Sequence, residues 1–147
     1  MLLADKSDAE LVDVLAGPSR KLGDTAGELL GRRKRLDLVA AALRDQRITR
    51  REGKVRALNL LLREGRHMPE AFSIYLQYAC DRSNDVASCA LFGLAFWQDE
   101  AVIPFLESLL DSKNSEQVRK AIDALRSGDP KRYSEGFYDS LGVWKNG

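Results

Sequence analysis

Apolar residues along this chain recur at intervals of three and four, and few stretches alternate with period two. That pattern predicts helices and almost no strand. The spacing places helices near 7–16, 22–31, 33–45, 51–64, 69–80, 85–97, 100–111 and 115–127, with a last short helix or turn near 133–141. Breaks fall at Gly17-Pro18, Gly65, Asp81-Arg82-Ser83-Asn84, Gln98-Asp99, Ser112-Lys113-Asn114 and Gly128-Asp129-Pro130, all residue types that end helices or open turns. Asn84 or Asp85 suits one N-cap and Ser115 another. The 100–111 segment carries Pro104 inside it. A proline there either bends the helix near its start or sits in the first turn of a helix that begins late. Both readings make Pro104 structural.

Helices of about a dozen residues joined by short turns predict stacked antiparallel pairs, and a common period supports stacking. Val55, Val86 and Val118 recur at spacings of 31 and 32. Three positions on stand Leu58, Cys89 and Ala121; six on, Leu61, Phe92 and Ala124; seven on, Leu62, Gly93 and Leu125. Offsets of 0, 3, 6 and 7 form one stripe of a helix. The same stripe read backwards reaches Ala26, Leu29 and Leu30. The intervening helices share a weaker register, with Ala71, Tyr75, Tyr78 and Ala79 set against Val102, Leu106, Leu109 and Leu110.

"DEAVIPFLESLLDS" followed by "SEQVRKAIDAL" resembles a HEAT repeat of the short bacterial, PBS-lyase type. The first helix carries Ile103-Pro104-Phe105 and ends on a Leu-Leu-Asp turn, and the second opens with Val118-Arg119. "GKVRALNLLL" repeats the opening at Val55-Arg56, and "NDVASCALFGLAFW" keeps the pattern with Ala87 in place of the arginine. The resemblance is clearest over 69–127. It implies an all-α fold, a right-handed α-solenoid of about four antiparallel helix pairs in one domain over 1–147. The tail 129–147, with Trp144, is expected to cap the last pair. In such a solenoid the second helices line the concave side.

Offsets 2, 5 and 9 from each valine point away from the stripe. They are Lys120, Asp123 and Ser127 in the last pair, but Ala57, Leu60 and Glu64 in the second and Ser88, Leu91 and Ala95 in the third. Leu60 and Leu91, with Ala57 and Ala95, therefore form a candidate apolar strip rimmed by Lys54, Arg56, Arg63 and Glu64, with Trp97 nearby. An exposed strip of this kind marks a protein interface. The alternative is that the array curls, or the tail packs back, and buries it.

Charge is near balance overall, at a formal +1, but unevenly spread. Residues 1–31 carry three basic and six acidic side chains, 32–67 twelve and four, and 68–147 eight and twelve, so the segments run −3, +8 and −4. The basic block opens with Arg32, Arg33, Lys34 and Arg35. Such a run is either a solvated turn or a patch for phosphates or an acidic protein. Its 32–67 segment lacks aromatic residues, which argues against stacking of single-stranded bases.

Candidate chemistry is sparse. His67 is the only histidine, and it reads as a solvated loop residue. Cys80 and Cys89 read as small buried side chains. Phosphate-cradling and nucleophile-elbow motifs are missing, and the paired acids Asp99-Glu100 and Asp81/Asp85 fit helix starts. No apolar run approaches bilayer length, so a cytoplasmic location is expected, without cofactor or metal. The leading expectation is a non-enzymatic protein–protein binding module whose partner is acidic, such as a dedicated inhibitor or the immunity protein of a bacterial toxin. The alternative is a nucleic-acid-binding protein using 32–67. A lyase-like role on a bound chromophore, implied only by the resemblance, ranks last.

Overall fold

The first helix shows how local sequence sets an element. Ser7 accepts a hydrogen bond from the Glu10 N–H, and the Glu10 carboxylate accepts one from the Ser7 N–H, a reciprocal capping box. It opens α1 (Asp8–Leu15). Ser19 caps α2 (Arg20–Arg32) in the simpler way, accepting from Leu22 N–H. The computed structural model describes residues 2–65 and 67–134. There follow α3 (Leu36–Arg44), α4 (Arg51–Glu64), α5 (Pro69–Tyr78), α6 (Asn84–Trp97), α7 (Ile103–Glu107), α8 (Ser115–Ser127) and α9 (Lys131–Ser134). Short 3-10 turns lie at Leu3–Asp5 and Glu100–Val102. The described residues contain helices and no strand. Trp144 and most of the predicted 133–141 helix lie outside them.

Pro104 sits in the first turn of a helix that begins late. A 3-10 turn occupies 100–102, α7 starts at Ile103, and Pro104 falls where its missing N–H has no helical acceptor to lose. The expected dozen-residue helix is not continuous. After Glu107 the Ser108 hydroxyl donates to the Phe105 carbonyl, and the chain proceeds through turns to Ser115. Expected caps also shift. Ser83, not Asn84 or Asp85, accepts from the Val86 N–H. Asn114 holds the N-cap position of α8 and makes no side-chain cap bond, and Ser115 is already helical.

The chain divides into two compact units, Met1–Ala90 and Leu91–Gly147, with the division inside α6. In the first unit, alternate helices pair side by side in parallel. Built Cβ atoms at Gly23, Gly27 and Gly31 of α2 would meet Arg56, Leu60 and Glu64 of α4 respectively. The offset is 33 each time, so the two helices run in the same direction in register. Three glycines at a spacing of four clear one side of α2, and α4 settles against it.

The other alternate pairs are joined by side-chain hydrogen bonds and ion pairs at separations of 27 to 35 residues. Arg35 at the start of α3 bonds Asp8 at the start of α1, at 3.0 Å. The Tyr78 hydroxyl at the end of α5 donates to the Leu43 carbonyl at the end of α3, at 2.6 Å. Arg51 and Lys54, at the start of α4, pair with Asp85 and Asp81. Successive helices pack as well, α1 on α2 and α3 on α4. Gly53 lets α4 begin against the end of α1, because a Cβ there would lie 2.8 Å from the Ala16 carbonyl oxygen.

In the second unit α8 packs against α7 and α9. Val118, Ala121, Ala124 and Leu125, the repeat stripe read from the sequence, are all buried. Phe92 stacks at 4.9 Å on Phe96 and meets the buried Tyr133 ring edge-on at 5.1 Å. Gly128 ends α8 in the left-handed conformation at φ 73°, where glycine carries no Cβ penalty.

Candidate functional site

The apolar strip is not a surface. Leu60 is 1 % exposed, and Ala57, Leu91 and Ala95 are fully buried. At these positions the side turned away from the valine stripe still meets protein, because the helix has neighbours on more than one side, whereas Glu64, Asp123 and Ser127 at the same offsets are exposed. Leu60 lies over Gly27 of the parallel α2, within 3.5 Å of where a Cβ would stand. For Leu91 and Ala95 the reason is visible in "NDVASCALFGLAFW", which is apolar nearly all round, the mark of a buried helix.

The expected rim is also committed. Arg56 is only 10 % exposed along its side chain. Its guanidinium donates to the carbonyls of Leu15 and Gly17 and lies 3.5 Å from Asp24. It therefore satisfies the open carbonyl end of α1. Lys54 pairs with Asp81 at 3.1 Å, both largely covered, and lies 5.9 Å from the centre of the Tyr78 ring. Burial, then the Asp81 charge, raises the Tyr78 phenol above its usual value. Arg63 and Glu64 are exposed, and Trp97 is half-buried.

The basic run splits by role. Arg33 donates to the Ala4 and Lys6 carbonyls at 2.8 and 2.9 Å and to Asp8 at 3.0 Å, pinning the N-terminal segment. Arg35 is shared between Asp8 and Asp37. Its hydrogen bond holds the Asp37 carboxyl below the ordinary range. Arg32 and Lys34 are exposed and form no ion pair among the described residues.

Beside Lys34 an open groove of about 510 Å³ is lined by Gly31, Lys34, Arg35, Leu36, Asp37, Glu64 and Met68. Gly65 lies behind two of these residues: a Cβ there would lie 3.0 Å from Met68 Sδ and 3.2 Å from Leu36 Cδ1. A second groove, of about 410 Å³, runs along Gln46, Thr49, Lys54, Gln77, Cys80 and Arg82.

Cys80 is exposed, against the expectation of a buried side chain, while Cys89 is half-buried and both are free. Burial, with Asp85 nearby, pushes the Cys89 thiol up to about 12. His67 is exposed in its turn. Among the described residues no cluster of three or more His, Cys, Asp or Glu side chains could hold a metal ion, and no helix is long and apolar enough to cross a membrane. The glycine ladder at 23, 27 and 31 and the Arg56 clasp escaped sequence reasoning, although the spacing of four was a readable signal. No protein-family model, curated protein or solved structure matches this chain.

Proposed function

We propose that the chain is a non-enzymatic protein-binding module of stacked helix pairs, HEAT-like in plan, that grips an acidic partner through a charged surface rather than an apolar one. The observation that carries this is the in-register parallel pairing of α2 with α4 at an offset of 33. Helices so stacked use their apolar positions on each other and present turns and polar edges outward. Surplus cations then lie at helix ends and in turns, with Arg32 and Lys34 exposed and in no ion pair among the described residues. A dedicated inhibitor is the specific form that a small chain of paired helices suits.

Nucleic-acid binding is the second reading, favoured by those same two cations. Against it stands the neutralisation of Arg33 and Arg35 by Asp8 and Asp37, which interrupts any phosphate track. Affinity capture from source cells, with and without nuclease, decides between them. A nuclease-resistant, stoichiometric protein partner released by moderate salt is expected. Recovery of nucleic acid alone contradicts the proposal.

A further inference from the structure

We infer that the partner docks on one end of the first unit, where the turns after α1, α3 and α5 lie side by side, and that it meets this end with a protein surface bearing several side-chain carboxylates. This rests on the protein-binding reading and adds the place and chemistry of contact. The start of α4 ties the turns together. Gly53 lies against the Ala16 carbonyl, and Arg56 donates to the Leu15 and Gly17 carbonyls. Arg51 and Lys54 pair with Asp85 and Asp81. Gln77, at the end of α5, donates to the Leu43 and Arg44 carbonyls at the end of α3.

Segments 13–24, 44–56 and 80–85 form this end and carry nine basic and six acidic side chains. Five of the acids are held. Asp24 lies 3.5 Å from Arg56, Asp45 3.1 Å from Arg44, Asp81 3.1 Å from Lys54 and Glu52 3.5 Å from Arg51, which also holds Asp85. Arg20 and Arg47 reach Asp24 and Asp45 at 4.0 and 3.9 Å. In no ion pair among the described residues are the exposed Lys21, Arg50 and Arg82, against the exposed Asp13. Each connection thus supplies one free cation. Segments 2–10, 28–37 and 63–70, at the opposite end, carry seven basic side chains besides His67 and seven acidic ones. There the exposed, unpaired Asp5, Glu28, Glu64 and Glu70 offset Arg32 and Lys34. The charge surplus therefore selects the first end for an acidic partner.

Between its second and third turns this end opens into the groove of about 410 Å³. The charges in the groove's own lining are Lys54, Asp81 and Arg82. The first two pair with each other, so Arg82 is the charge that the groove presents. Gln46 and Thr49, both exposed, line it too and bring neutral hydrogen-bond donors. A guanidinium beside such donors suits a side-chain carboxylate. Asp45, Asp81 and Asp85 lie in the same turns as the free cations, and they disfavour a continuous line of phosphates more than separate carboxylates. These segments hold no aromatic residue, so bases find no stacking platform.

The test is an amide-shift titration of the full chain at low salt with a synthetic glutamate-rich peptide, beside a DNA duplex. Saturable shifts at Lys21, Thr49, Arg50 and Arg82 are expected, weakening with salt, and the peptide should slow alkylation of the exposed Cys80 at the groove. Arg50→Gln and Arg82→Gln should each weaken the peptide by about two- to fivefold and leave the melting temperature unchanged, since neither side chain is in an ion pair. Arg32→Gln and Lys34→Gln remove the same charge at the opposite end and should change binding far less. Absence of saturable shifts, shifts confined to the opposite end, equal losses from both sets of variants, or tighter binding of the duplex would overturn the inference. A captured protein partner that binds the Arg50→Gln, Arg82→Gln double variant as tightly as the parent chain overturns this surface and leaves the protein-binding reading standing. Capture of nucleic acid alone overturns that reading and the inference with it.

Discussion

Arg56 shows what a single side chain does in this chain. In the sequence it is the second residue of a repeat-like Val-Arg opening. In the fold it reaches back from α4 to two carbonyls near the end of α1. Its removal leaves part-buried acceptors without a donor, so Arg56→Met is expected to cost about 1–3 kcal/mol, read as a lowered midpoint in urea. Leu60→Ala is expected to cost about 2–5 kcal/mol by opening a cavity beside Gly27. The two cysteines offer a check that needs no variant. Cys80 should react with a thiol reagent in the folded protein, and Cys89 only on unfolding, because the thiolate is the reactive form and burial disfavours it at Cys89. Equal rates at both would contradict the placement of Cys89.

At the scale of elements, the glycine ladder of α2 predicts a graded series. At Gly27 a methyl meets Leu15 and Leu60 at ordinary contact distances of 3.4 and 3.5 Å. Gly27→Ala should therefore be neutral or stabilising through helix propensity. At Gly23 the methyl meets the Arg56 guanidinium at 2.5 Å, a group held by fixed carbonyls, so Gly23→Ala should cost about 1–3 kcal/mol. Thermal melts of the two variants decide it: equal midpoints would mean that α4 does not lie on this face.

The sequence was informative at this scale for reasons that can be named. Helix spans were legible because period-3.6 patterns are long and the breaks are strong turn residues. The stretch 51–64 was read with the ends it has in the fold. The 100–111 helix was misread because apolar spacing continues through a segment whose backbone passes from 3-10 to α to turns. Caps were misplaced by one residue, where neighbouring Ser and Asn are equally able acceptors. The apolar strip was misread because a helical wheel divides a helix into one wet and one dry side, whereas α4 also has α2 beside it. The basic run was visible as charge, but the claims of Asp8 and Asp37 on Arg33 and Arg35 are contacts across the fold that spacing does not encode.

For the whole molecule, the titrating groups set a stability window. Glu10 is held below its ordinary 4.5 by hydrogen bonds from Ser7. Asp37 and Asp45 are held below 3.8, chiefly by Arg35 and Arg44, and Glu52 is also lowered. Groups lowered in the fold stabilise it above their unfolded values, and that contribution fades as pH falls through the folded ones. Tyr78 and Cys89 are raised, from 10.0 and 9.0 respectively, so their contribution is complete below the unfolded values and fades as pH climbs past them. The melting temperature should hold a plateau between about pH 5 and 9 and fall on both sides. A midpoint that rises steadily on acidification would contradict these assignments.

The account depends on α4 lying in register on α2, with Leu60 covered and the turns left to make contact. The most direct measurement is methyl NMR of Leu60 in the presence of a soluble paramagnetic agent, with cross-peaks sought to the Gly27 α protons. Leu60 methyl signals that survive the agent and show the Gly27 cross-peaks are the predicted result. Signals bleached as fast as those of the exposed Leu2 and Leu22, without those cross-peaks, would contradict the stacked arrangement and restore an apolar face as the contact surface.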